Sequence, residues 1–206
     1  MKKYYSLIPA GLLASILTCS APSAIAVAPA YTFISAEYAK YSSLMNGFSH
    51  DIDGVSLTLD MSYAARPNIA ITGSFSTGTA EVIASDTTFS ASTQTMSIGI
   101  MAHLAINKHS DFLLGASFIN GDVKVDGDFN DSEDINGGMS VIGIRNRISD
   151  YVEVNGFLRK LSIAENSSIS VNLGAAYFTT ESLSIDIGYT LDSDGDTFTL
   201  GATKYF

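Results

Sequence analysis

Residues 183–206 read LSIDIGYTLDSDGDTFTLGATKYF, and the two arms of this stretch decide the fold. In the first arm Leu183, Ile185, Ile187, Tyr189 and Leu191 share one face, and Ser184, Asp186, Gly188 and Thr190 share the other. After a polar turn at 192–196 the second arm sets Phe198, Leu200, Ala202 and Phe206 against Thr197, Thr199, Gly201 and Thr203. Alternation of period two marks a β-strand with one apolar and one polar face. Lys204 interrupts the apolar face, where its aliphatic stem can snorkel from a membrane edge. The chain stops on an aromatic residue within that strand, whereas the ends of soluble domains usually fray in solvent.

Working outward, ten segments carry the strand pattern: 31–42, 54–64, 69–77, 94–106, 112–120, 138–149, 151–161, 168–178, 182–191 and 197–206. Val55, Leu57, Leu59, Met61 and Tyr63 alternate with Ser56, Thr58, Asp60 and Ser62 in the second. Met96, Ile98, Ile100, Ala102, Leu104 and Ile106 oppose Thr95, Ser97, Gly99 and His103 in the fourth. Strands of about 10 residues suit a tilted crossing of a bilayer. Short polar links at 65–68, 107–111, 149–151 and 179–182 alternate with longer ones, of which 43–53, 78–93 and 121–137 are the longest. That alternation is expected of an up-and-down barrel with an even strand number and both termini on the short-turn side. Eight strands would mean discarding two clear segments. Pro67 lies in a turn and Pro29 precedes the first strand, so no Pro interrupts a strand interior.

The predicted fold is therefore all-β, a transmembrane antiparallel up-and-down β-barrel of about ten strands (alternative eight). Lipid on the outside explains more than a soluble barrel with an apolar interior does. The polar face is rich in Ser, Thr, Gly and Asn, as a hydrated lumen requires, and the aromatics of the apolar face cluster near strand ends, as interfacial girdles do. A closed barrel leaves no strand edge unpaired in lipid.

Residues 1–26 read as a cleavable signal peptide, leaving 27–206 as one barrel domain. Lys2 and Lys3 supply the positive start, residues 7–18 the short apolar core, and Ala24-Ile25-Ala26 the small-x-small site. The single cysteine, Cys19, would leave with it; Thr18 before it is a poor fit to a lipidation site. The formal charge of −10 argues against nucleic acid as a partner, while 46% hydrophobic residues exclude an acidic disordered chain.

The hairpin RNRISDYVEVNG at 145–156, the ending Lys204-Tyr205-Phe206, the signal and the strand pattern together resemble small Gram-negative outer-membrane β-barrel proteins. The resemblance is broadly to the OmpA/OmpX type of barrel, with ten strands here where those have eight. It implies export to the outer membrane of a Gram-negative bacterium, contact with outer-membrane lipid and lipopolysaccharide, recognition of Phe206 by the barrel assembly machinery, and a monomeric state. It is specific for architecture and weak for function.

Candidate functional residues are the charges expected inside: Asp60, Arg145, Arg147, Glu153, Arg159 and Asp186. Arg147 and Glu153 should face each other across the turn at Asp150. They would serve as structural charge pairing or, in a small pore, as a gate. Asp126, Asp128, Asn130, Asp131 and Glu133 in the third long link are candidates for surface cation contacts. They do not complete a calcium loop, because Asp131 stands where Gly is needed and Gly137 where Glu is needed. No metal site and no cofactor is expected, since no His/Cys spacing suits zinc. His50-Asp51 is the best acid–base pair for an enzyme, yet the motifs of ten-stranded omptin proteases and eight-stranded lipid A-modifying barrels are absent. The function expected is thus a non-enzymatic outer-membrane barrel with a structural or surface-interaction role through its external loops. The alternatives are a narrow channel for small polar or cationic solutes and, further off, a lipid-modifying or proteolytic barrel enzyme.

Overall fold

The alternation read from the sequence closes into a single ring. The computed structural model describes residues 31–44, 50–84, 87–126, 131–164, 166–192 and 195–206. Its strands are β1 (Phe33–Leu44), β2 (His50–Arg66), β3 (Ile69–Ala84), β4 (Thr87–Asn107), β5 (Ser110–Asp126), β6 (Asp131–Arg147), β7 (Val152–Ile163), β8 (Asn166–Thr180), β9 (Leu183–Asp192) and β10 (Gly195–Tyr205). Each is antiparallel to its neighbours in sequence, and β1 closes the barrel on β10. Ten strands are observed, so the eight-strand alternative falls. The expected signal peptide lies outside the described residues.

Moving from partner to partner around the wall returns to β1 displaced by about 12 residues, a stagger that goes with strands tilted by about 40°. This tilt sets the depth of the apolar band. On β4 the exposed face is apolar from Met96 to Ile106, about 33 Å of strand at about 3.3 Å per residue. Tilted, that length covers about 25 Å of depth, the height of the lipid-facing band in outer-membrane barrels. Tyr63, Tyr151, Tyr177 and Phe206 stand exposed toward the end that carries the short turns and both strand termini. On the first strand Ile34 and Tyr38 point out and Ser35 and Glu37 point in.

The long links are where the structure departs from the reading of the sequence. Stretches 43–53, 78–93 and 121–137 are mostly paired strand, with only 45–49, 85–86 and 127–130 left between elements. The ladders continue to Leu44↔Asp51, Ala84↔Thr87 and Val125↔Asp131. The physical reason is a reversal of polarity. Beyond the lipid band the outside is water, so Thr79, Gln94, Asn120 and Lys124 point out, while Ala80, Ala91, Ile119, Val123 and Ile135 are buried inside. Backbone phase is unbroken; only the face that carries the apolar residues changes.

Candidate functional site

The interior is stacked in three levels. At the turn end an apolar cluster contains Phe33, Leu113, Phe157, Phe178 and Tyr205. Phe178 and Phe33 each lie within ring contact of Tyr205, at 5.8 and 5.9 Å between centroids. At the far end Tyr41, Ile52, Ala80 and Ala91 form a second buried cluster, with Val125 packed against it. Between them the lumen is polar. There Asn172 donates to Thr190 (2.8 Å), and hydroxyl pairs join Thr58 to Ser76 and Ser74 to Ser97, whereas Asp186, opposite Ala176 at the turn-end level, accepts hydrogen bonds from Ser184 (2.8 Å) and Thr203 (2.7 Å).

Glycines make room for the large inward side chains. Gly54 lies directly opposite Tyr41, and a Cβ at Gly54 would sit 1.9 Å from the Tyr41 ring. Gly143 likewise faces Phe157, whose ring is 2.1 Å from where a Cβ would be. In both places an aromatic ring covers the backbone of a cross-strand glycine, a close approach that any side chain would block.

A charged cluster is set into the turn-end level. Arg145 on β6 and Asp111 on β5 are direct cross-strand partners, and an Arg145 Nη2 hydrogen bond joins them. Tyr31, which enters just before β1, donates to Asp111 at 2.8 Å and accepts from Arg145 at 3.0 Å. Its ring lies beneath the guanidinium at 5.1 Å and stacks on His103 at 3.4 Å. Glu153 on β7, diagonal to Arg145, places Oε1 3.7 Å from Arg145 Nε. Arg145 is 1% exposed and Glu153 0%. Charges so deeply buried are tolerated only when paired. Because β1 and β6 stand on opposite sides of the ring, Tyr31 and Arg145 bridge the lumen from wall to wall.

The predicted site residues fall into this scheme unevenly. Arg147 and Glu153 are cross-strand partners in register, as expected. Their side chains do not pair, because the ion pair of Glu153 is with Arg145. Arg147 turns to the turn backbone instead, donating to the carbonyls of Ser149 (3.3 Å) and Asp150 (2.6 Å), with its guanidinium 5.0 Å over Phe178. Arg159 and Asp60 are buried in the polar middle level and line a void of ≈ 50 Å³ with Ser74, Ser97 and Ser117, room for ordered water. Asp126 is exposed at the end of β5, and Glu133 is exposed on β6. Asp131 opens β6, while Asp128 and Asn130 lie outside the described residues. His50 and Asp51 belong to β2 rather than to a loop. Among the described residues, no three His, Cys, Asp or Glu side chains come together to hold a metal.

Two members of the charged cluster, Tyr31 and Asp111, were not foreseen. Asp111 reads as a turn residue, and Tyr31 as an ordinary first residue of a strand. Asp111 was within reach: an acidic residue at the inward position beside Leu113 comes opposite Arg145 once the β5–β6 register is set.

Among solved structures the fold is similar to the transport unit of the autotransporter AIDA-I from Escherichia coli. The two share 12% identity over 96% of each chain, with a TM-score of 0.56. It is also similar to an outer-membrane channel from Pseudomonas putida F1, at 10% identity over 91% of this chain and 100% of that one, with a TM-score of 0.51. Such identities show a shared fold alone. No curated protein matches the chain in sequence. The family model described as outer membrane protein beta-barrel domain matches residues 10–205, and with that span the chain belongs to the outer-membrane β-barrel protein family.

Proposed function

We propose that this protein is a closed, non-enzymatic outer-membrane barrel that serves as a structural and surface-interaction module. The wall-to-wall bridge of Tyr31, Asp111, Arg145 and Glu153 carries this reading. It is seated among apolar residues that are almost fully buried among the described residues, such as Leu113 at 0% and Phe178 at 2% exposure, which supports a filled rather than a conducting lumen. A conducting pore needs the reverse, a hydrated passage lined by polar groups. The lumen here supports the wall, and the extended far-end wall is what the barrel displays to the exterior.

The test is single-channel recording from the refolded mature protein in planar bilayers, with folding checked by heat-modifiable gel migration. A folded barrel that gives no conductance steps supports the closed reading. Discrete cation-selective steps would overturn it in favour of a narrow channel. Outer-membrane lipid and lipopolysaccharide are the proposed surroundings of the apolar band. The same reading proposes Phe206, which is 65% exposed, as the residue that the assembly machinery recognises. A Phe206→Ala chain that reached the membrane in undiminished amount would remove that role.

A further inference from the structure

The lipid-facing surface carries a cation within its apolar band. On β7 Lys160 follows Leu158 on the outward face, and its cross-strand partners are Ile169 on β8 and Ser140 on β6. Ile169 is 58% exposed and Leu158 47%, so the Lys160 side chain leaves the wall between residues that face lipid. Among the described residues no carboxylate forms a salt bridge with it. Ser140 is exposed and is in turn the partner of Ala116 on β5. Ala116 lines a shallow hollow on the outer surface, together with Ile98, Ile100 and Phe118. Lys160, Ser140 and Ala116 thus stand in one row across three strands, about 10 Å long at about 4.8 Å per strand. Toward the far end Ser162 also points out, opposite Gly138.

Charge selects the occupant of this row. A lysine among apolar neighbours is costly unless its head reaches water or an anion. The row offers a cation and a hydroxyl at one end and an apolar hollow at the other. What fits it carries an anion about 10 Å from an acyl chain, at the strand spacing just given. A second copy of this chain, laid against the strip by the same row, would bring another lysine and no carboxylate. Lys160 lies near the far end of β7 (Val152–Ile163), on the side of the outer leaflet, where the phosphorylated lipid is lipopolysaccharide. Lys40 provides the contrast. It too points out near the far end of its strand, but its partners are Val55 and Phe198, which offer no hydroxyl.

We propose that Lys160, Ser140 and Ser162 seat one phosphate of the lipid A part of lipopolysaccharide, with an acyl chain of that lipid lying in the hollow beside Ala116. This deepens the lipid contact proposed above and rests on the far end facing outward. Its readout is retained lipid rather than conductance, so its failure and that of the closed-lumen reading are told apart. The mature protein is refolded in detergent micelles, checked by heat-modifiable migration and titrated with lipid A bearing two phosphates. Bound lipid is counted by native mass spectrometry. One lipid per barrel is expected at saturation. Lipid A stripped of its phosphates should bind at least tenfold more weakly. Phosphatidylglycerol, whose phosphodiester carries less charge than a phosphate monoester, should bind at least threefold more weakly. Lys160→Met keeps the stem, removes the charge and should weaken lipid A binding at least tenfold, whereas Lys40→Met should change it less than twofold. Absence of retained lipid would overturn the proposal, as would equal retention of the dephosphorylated lipid or of phosphatidylglycerol. Equal effects of the two lysine changes, or dimers in place of a lipid-bound barrel, would overturn it as well. The dephosphorylated-lipid comparison uses the unaltered protein, so it decides even where a variant fails to fold.

Discussion

β5 runs through two environments under opposite rules. From Phe112 to Phe118 its outward residues are apolar, Leu114 and Phe118 being more than half exposed, and its inward face holds Asp111 and Ser117 beside Leu113. From Ile119 onward the order reverses: Ile119, Val123 and Val125 turn in, and Asn120, Asp122, Lys124 and Asp126 turn out. On β5 the lower wall keeps apolar area against lipid and holds its charge, Asp111, in the lumen, where it must be paired. The upper wall keeps charge against water and packs aliphatic groups inside, as a soluble sheet does. One chain direction and one pleat serve both.

The contrast breaks most severely if the luminal charges of the lower wall are dispensable. Arg145→Ala leaves Asp111 and Glu153 buried without their cation, and removing one partner from such a site costs about 3–5 kcal/mol. Urea unfolding of the refolded protein in lipid vesicles, followed by tyrosine fluorescence, measures it. A loss below about 1 kcal/mol would mean that water reaches the cluster, and the closed lumen would be wrong.

Next in size is the cost of a charge on the outer surface. Leu173, 53% exposed at the centre of the apolar face of β8, should tolerate Arg poorly, at about 2–4 kcal/mol near the bilayer midplane. Gln94→Arg, outward on β4 beyond Met96, should change stability by less than about 0.5 kcal/mol. Equal penalties at both positions would put the upper wall in lipid and erase the boundary. The luminal neighbour Asn172 is no neutral control: at 7% exposure and bonded to Thr190, it has no room for Arg either.

Packing inside the upper wall gives a smaller effect. Gly54→Ala drives a methyl group into the Tyr41 ring, which is 1% exposed and whose hydroxyl donates to the carbonyl of Thr79 at 3.2 Å. Overpacking of this kind costs about 1–3 kcal/mol. Combined with Tyr41→Ala it should cost less than the sum of the two single changes, because they share one contact. Strict additivity in the same unfolding assay would show that Tyr41 does not lie over Gly54.

Legibility in the sequence follows the same boundary. Where lipid lies outside, outward positions are predominantly apolar, so Leu57, Ile100 and Leu173 announced their strands and faces. The upper wall was read as loops because Ala80, Ala91 and Val123 alternate in the opposite phase from the band below, and a reader following one phase sees the pattern stop. The inward face was legible as polar but not as packed. Phe33, Phe157, Phe178 and Tyr205 point in, and only the register shows that Gly143 makes space for Phe157. Charges could be assigned to the lumen by parity, but partners could not. Parity and turn length put Arg147 opposite Glu153, whereas side-chain reach gave Glu153 to the diagonal Arg145.

The mildest change addresses the outer surface of the upper wall. Lys124 is 64% exposed and Asp122 36%, and their 3.6 Å contact is open to water and salt. An exposed pair of this kind contributes about 0.2–1 kcal/mol, so Lys124→Ala should lower stability by no more than about 0.5 kcal/mol, less at high ionic strength. The cross-strand Asp122↔Asp134 repulsion it leaves behind is screened by the same water. If the loss instead exceeded about 2 kcal/mol and resisted salt, the pair would have to lie out of water. Charge on the upper wall would then be structural, as it is around Arg145, and the two halves of β5 would obey one rule rather than two.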